Sequence, residues 1–108
     1  MTDRAMAATA TAPQQPGIRP AMASDLEALD QLERASFRTD RLSRRRLRHW
    51  IDATNSVLLV APSESTLLGY GLVLLHRGTR LARLYSLAVA PAARGTGLGR
   101  RLVQELEL

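Results

Sequence analysis

Residues 84–102 read Leu-Tyr-Ser-Leu-Ala-Val-Ala-Pro-Ala-Ala-Arg-Gly-Thr-Gly-Leu-Gly-Arg-Arg-Leu. The stretch opens as a mostly apolar run of strand length, residues 84–90. Pro91 ends the run, because proline has no N–H to give to a ladder. After the short Ala92-Ala93 link come glycines at alternate positions, Gly95, Gly97 and Gly99. Leu98, Leu102, Val103 and Leu106 then recur at helical spacing. The order is strand, glycine loop, helix.

That order makes an anion site. The first N–H groups of a helix have no intrahelical partner, and the helix dipole is positive at that end. Glycine lets a large anion approach the backbone, and phosphate is the natural occupant. Arg94, Arg100 and Arg101 add mobile positive charge. The nicotinamide fingerprint Gly-x-Gly-x-x-Gly fails, since Arg100 stands where its third glycine belongs. The P-loop fails as well, since the chain contains no lysine. The spacing that fits is Arg-x-x-Gly-x-Gly, filled by Arg94, Gly97 and Gly99. A tight connection with no ligand is the plain alternative for a glycine-rich turn. Against it, strand, proline, arginine, glycines and helix all agree in order and spacing.

Residues 87–102 resemble the acetyl-CoA-binding motif of the GNAT N-acetyltransferases. The resemblance implies an α/β fold of order β-α-α-β-β-β-α. It implies that Leu87, Ala88 and Val89 pair with the pantetheine amides like an added strand. Backbone N–H groups of Arg94, Gly95, Thr96, Gly97, Leu98, Gly99 and Arg100 would hold the pyrophosphate. The implied activity is acetyl-CoA-dependent acetylation of a primary amine, either a small molecule or a protein N-terminus, by direct attack and without a metal. Residues 32–37 are similar to the same region of the ribosomal-protein alanine acetyltransferases, which points to a protein N-terminus. The 18–26 opening and the Gly69-Tyr70 pair also resemble the family.

A whole GNAT domain is longer, adding a strand, a helix and a closing hairpin, with a tyrosine that many members use as general acid. The expectation is therefore an N-terminal, C-terminally truncated portion of the domain. Its last strand would show an unpaired edge beside an uncovered helix face (Leu98, Leu102, Val103, Leu106), which favours association. Such a chain would be marginal or oligomeric.

Acetyl transfer needs a base for the amine proton and a polarised thioester carbonyl. Backbone N–H groups at Leu87, Ala88 and Val89 can meet the second need. For the first, residues 84–90 carry no carboxylate, and Tyr85 and Ser86 are their only polar side chains. Tyr85 is expected as a half-buried strand residue, and no catalytic residue is assigned.

The rest of the chain agrees with one domain. It has 108 residues, 45% of them hydrophobic, which permits a core. Its formal net charge is +5, and all 15 basic residues are arginine. This charge attracts polyanions, CoA among them. There is no cysteine, hence no disulfide framework. No apolar run reaches transmembrane length, and the N-terminus lacks the apolar centre of a secretory signal. A cytoplasmic protein without membrane contact is expected. Residues 1–16 read as a disordered tail and 17–108 as the domain.

Within the domain, residues 17–20 read as extended, with Ile18 as anchor. Ser24 and Glu27 predict a capping box for a helix over 25–35. Ser43 predicts the cap of a second helix, rich in arginine (Arg44, Arg45, Arg46, Arg48), with Leu47, Trp50 and Ile51 as its docking side. Few aromatics accompany those arginines, so they read as a solvated face and not as a specific nucleic-acid site. By resemblance, the segment between these helices borders the acceptor, so Phe37, Arg38 and Arg41 would help select it. Strands are expected at 56–61, at 67–77 (broken in character by Gly69 and Gly71) and at 80–90, with turns at 62–66 and Gly78-Thr79. His49 and His76 receive no role. Three rival functions remain: a non-catalytic CoA-binding module, an inactive fragment, and a basic nucleic-acid-binding protein carried by residues 44–48.

Overall fold

In a computed structural model, the strands pair with one another in the order in which the chain makes them. The structure describes residues 17–64, 66–76 and 82–107. The expected tail at 1–16 and the Gly78-Thr79 turn lie outside the described residues. The elements are β1 (Arg19–Pro20), α1 (Leu26–Ser36), α2 (Arg44–Asp52), β2 (Ser56–Ser63), β3 (Thr66–Leu75), β4 (Ala82–Val89) and α3 (Leu98–Leu106). Short 3-10 turns precede α1 (Ala23–Asp25) and follow β4 (Pro91–Ala93). The sheet order is β1-β2-β3-β4, and every neighbouring pair is antiparallel. The expected β-α-α-β-β-β-α order is observed.

Alternation along the strands sorts side chains to two faces. Leu58 and Val60 of β2 join Tyr70, Leu72 and Ala88 on the face covered by Leu29 and Leu32 of α1 and Leu47 of α2. Leu59 and Ala61 point the other way, to Leu98 and Leu102 of α3. The result is a helix–sheet–helix sandwich.

β3 is not broken by its glycines. It runs unbroken over ten residues, and Gly69 and Gly71 serve the packing of α3. A Cβ at Gly69 would lie 3.1 Å from Leu98 Cδ2, Leu102 Cδ1 and the Ala88 carbonyl oxygen. At Gly71 it would lie 2.8 Å from Leu106 Cδ1. Absent side chains on β3 therefore let the helix approach closely. The expected uncovered helix face is corrected accordingly. Leu98 and Leu102 are buried, while Val103 and Leu106 are half-buried along an apolar groove with Val73, Ala82 and Leu84. β4 is the last strand of the described sheet, so its outer edge is open among the described residues.

Two local expectations also change. Ser24 and Glu27 do not form the capping box, because Ser24 sits inside the 3-10 turn. Asp25 takes that role, accepting the Met22 N–H at 2.7 Å while gripping the Arg19 guanidinium through both oxygens at 2.8 and 2.9 Å. A carboxylate can hold both partners where a hydroxyl could not. β2 and β3 each extend into the expected 62–66 turn, with Pro62 accommodated at a register shift after Ala61. The cap of α2 is as expected, with Ser43 Oγ accepting the Arg46 N–H at 3.1 Å.

Gly69→Ala should lower stability by about 1–3 kcal/mol in urea unfolding, by overpacking against α3. Gly17→Ala, whose added Cβ meets nothing within 4 Å, should stay within about 0.5 kcal/mol. Hydrogen bonding to Arg19 holds the Asp25 carboxyl below the usual carboxylate range. Its stabilisation is therefore present above the unfolded value of about 4 and lost as pH falls through the lower folded value. Asp25→Asn should be less stable than the parent at pH 7, with the gap closing below about pH 4 in pH-dependent melts.

Candidate functional site

At the end of β4 the chain is tied back to the sheet before it turns. Ala90 N–H donates to the Leu68 carbonyl at 2.8 Å, and Ala93 N–H to the Ala90 carbonyl at 2.9 Å. Pro91 opens the 3-10 turn, where its missing N–H has no partner to lose. The Ala93 carbonyl then accepts both the N–H and the hydroxyl of Thr96, at 3.3 and 2.5 Å. Arg94 Nε donates to the Val89 carbonyl at 3.2 Å, folding that side chain back along the strand end.

Gly95 and Gly97 have φ of 81° and 87°, the left-handed region that other residues enter at a cost. The backbone itself thus favours glycine at both positions. Gly99 differs: it lies in the first turn of α3, and an added Cβ would make an ordinary 3.5 Å contact with Val89 Cγ2. Gly97 caps α3, and its carbonyl accepts the Arg101 N–H at 3.0 Å. The N–H groups of Leu98, Gly99 and Arg100 precede that bond and form the helix's free donor end.

The structure brings the sequence-chosen residues together at one end of the sheet. Leu87, Ala88 and Val89 form the last residues of β4, whose outer edge is open among the described residues. Arg94, Gly95, Thr96, Gly97 and Arg100 are exposed around the loop. The side chains of Ala88 and Leu98 are buried, so those two residues can offer only main chain.

A second feature lies on the opposite face of β4. Leu84 pairs with Val73 and Ser86 with Leu72, leaving Tyr85 as an extra residue in a bulge. The bulge sends consecutive side chains, Tyr85 and Ser86, into one cleft. That cleft, of about 460 Å³, is completed by Glu33, Phe37, Thr39, Asp40 and Leu42. Tyr85 is therefore not the half-buried strand residue expected. It is 42% exposed, accepts a hydrogen bond from Arg46 at 3.2 Å and lies near the Trp50 ring.

A buried carboxylate stands on α1, facing β3 and β4. Glu33 is 1% exposed. Its Oε2 accepts the Leu42 N–H at 2.7 Å, and its Oε1 accepts the Tyr70 hydroxyl at 2.5 Å. Tyr70 Oη lies 2.7 Å from Ser86 Oγ. Burial first, and then the neighbouring Glu33, push the Tyr70 hydroxyl well above its ordinary pKa, so it keeps its proton. That proton goes to Glu33. Ser86 must then donate to Tyr70, which leaves the Ser86 lone pairs for the cleft. The sequence carried one signal of this: Glu33 falls four residues after Leu29, on the apolar face of α1. Of the expected acceptor-side residues, Phe37 lines the cleft; Arg41 donates to the Phe37 carbonyl at 2.5 Å, and neither Arg41 nor Arg38 lines the cleft.

The basic helix is partly neutralised. Arg44 pairs with Glu27 at 2.5 Å and approaches Asp30 at 3.4 Å. His49 packs edge-on against Trp50, with ring centroids 4.6 Å apart.

The sequence model of the acetyltransferase (GNAT) family matches residues 25–107. The chain belongs to the GNAT family. Several solved structures share its fold. The ribosomal-protein-S18-alanine N-acetyltransferase from Escherichia coli is 18% identical, with a TM-score of 0.72 over 85% of this chain and 57% of its own. PaiA N-acetyltransferase from Thermoplasma acidophilum, in complex with coenzyme A, is 22% identical, with a TM-score of 0.75 over 87% of this chain and 70% of its own. The GNAT-like decarboxylase GphF, in complex with isobutyryl-CoA, is 23% identical, with a TM-score of 0.72 over 83% and 56%. This GNAT chain thus spans little more than half the length of the first and third of these. No curated protein sequence matches it.

In this GNAT domain the Tyr70 hydroxyl joins β3 to both α1 and β4. Tyr70→Phe should cost about 1–3 kcal/mol in urea unfolding, since it leaves buried groups without a partner. Tyr85→Phe, at an exposed position, should cost about 0.5 kcal/mol or less.

Proposed function

We propose that the chain carries the cosubstrate-binding part of an acetyl-CoA-dependent N-acetyltransferase whose acceptor is a primary amine, on a small molecule or at a protein N-terminus. The observation that supports this most is the free donor end of α3, set behind a glycine loop at the open edge of β4. The loop has room for a ligand: a Cβ placed at Gly95 or Gly97 meets nothing within 4 Å. Backbone N–H groups of residues 94–100 would hold the pyrophosphate, with Arg94 and Arg100 at its flanks. Leu87, Ala88 and Val89 would pair with the pantetheine amides through the open edge.

Bound acetyl-CoA supplies an activated acyl group. The amine nitrogen bonds to the acyl carbon, the C–S bond breaks, the nitrogen loses a proton and the thiolate gains one. What the chain itself contributes is position and charge: amides that bind an anion, and a strand edge that orients an extended amide chain beside Ser86.

Arg100→Glu is a clean probe, because the side chain is exposed and an acidic residue suits the first turn of a helix. Calorimetric titration of acetyl-CoA should show saturable binding by the parent, weakened about tenfold or more in Arg100→Glu, with an unchanged circular dichroism spectrum. A folded parent that binds no acetyl-CoA overturns the reading for this chain. Binding without release of free CoA thiol in the presence of amines would assign it to a non-catalytic CoA-binding module.

A further inference from the structure

We propose that the outer side of α2, with Tyr85 beside it, is a docking surface for single-stranded RNA, bound without regard to base sequence. The proposal does not rest on the acetyltransferase reading, since α2 covers one face of the sheet and α3 the other. Arg45, Arg46 and Arg48 are exposed, and none of them is in an ion pair among the described residues. Arg44, by contrast, is held by Glu27 and Asp30. Helical spacing puts Arg45, Arg48 and His49 on the side of α2 away from the buried Leu47. Guanidinium forks match phosphate oxygens, and each phosphate they neutralise releases counterions.

Charge alone fits any polyanion, and aromatic surface narrows the choice. The segment around the arginines holds few aromatic residues, but the fold brings in another. The β4 bulge sets Tyr85 out beside α2, exposed, where its hydroxyl accepts a hydrogen bond from Arg46 at 3.2 Å. Its ring centroid is 6.1 Å from that of the half-buried Trp50. Trp50 in turn stands 4.6 Å from the exposed His49 ring. Tyr85, Trp50 and His49 thus make a row of rings beside the guanidinium groups. Splayed bases of a single strand stack on such rings and on arginine planes, whereas bases paired inside a duplex do not. An acidic peptide would use the arginines and leave the rings idle.

The sugar is the third element. A cavity of about 590 Å³ adjoins the arginines, and Arg45, Arg48, His49, Asp52, Thr54 and Asn55 line it. Asp52 repels phosphate, so the strand's phosphates follow Arg45 and Arg46. The Asp52 carboxylate and the side-chain oxygens of Thr54 and Asn55 are acceptors that suit ribose 2′-hydroxyl groups, which DNA lacks.

The test is fluorescence anisotropy of a labelled oligouridine of about 15 nucleotides, titrated with the full chain at several salt concentrations. Saturable binding is expected, falling with salt at a log–log slope of about −2, as for roughly three phosphates neutralised on a single strand. Arg45→Gln and Arg48→Gln should each weaken it about threefold and flatten the slope by about 0.7. His49→Ala and Tyr85→Ala, both at exposed positions, should each weaken it about fivefold and leave the slope unchanged. Arg100→Gln removes the same charge from α3 and should change the affinity less than about twofold. The deoxyuridine strand should bind about threefold more weakly. Absence of saturable binding overturns the proposal, as does a loss in Arg100→Gln equal to that in Arg45→Gln. So does unchanged binding once the rings are removed, or equal affinity for the deoxy strand. Displacement of the strand by polyglutamate at equal charge concentration would make the face one for acidic protein and also overturns it.

Discussion

The arrangement depends on two missing side chains. Leu98 and Leu102 are fully buried because β3 presents Gly69 and Gly71 beneath them, and any Cβ there would meet the helix. This contact sets the height of α3 above the sheet. With α3 fixed, its N-terminus comes to rest where β4 ends, and the loop of residues 90–97 can be short and self-bonded. A side chain at Gly69 would lift the helix and move its donor end away from the strand edge. The position of this donor end is thus set by packing one strand away, at Gly69 and Gly71.

The other face of β4 works by the opposite means. There the bulge at Tyr85 adds a residue, and a polar chain from Ser86 through Tyr70 to Glu33 replaces apolar packing. Such a buried chain is stable only when each member is satisfied. Glu33 meets that condition by taking the Leu42 N–H with its second oxygen, which also fixes the segment between α1 and α2 that walls the cleft. One strand therefore carries an edge that is open among the described residues and, on its face, the polar floor of a cleft.

Much of this was legible in the sequence. The strand–loop–helix order, the α2 cap at Ser43 and the three-strand meander all follow from periodicity and local chemistry, and the structure has them. What was not legible depends on register. The glycines of β3 looked like interruptions because nothing in a linear reading tells which face they occupy. Asp25, and not Glu27, accepts the N–H ahead of the 3-10 turn, because Arg19, six residues earlier in the chain, holds its carboxylate there. Tyr85 came out exposed because a bulge shifts everything after Leu84 by one place, and a bulge leaves no mark in an apolar run. Glu33 could not be found from β4, which carries no carboxylate, although an acid on the apolar stripe of α1 was itself a sign of a buried partner.

The order of strands has a consequence for how the molecule is made. Each strand neighbours the one synthesised before it, so the β2–β3–β4 meander closes through local contacts of low sequence separation. On a ribosome, the face that takes α1 and α2 can be covered as the sheet forms, since both helices have already emerged. The glycine face cannot. It stays bare, with Leu59 and Ala61 uncovered, until α3 follows as the last of the described elements. For that interval the nascent chain carries an open apolar surface, and the donor end that α3 brings is completed only when this surface closes.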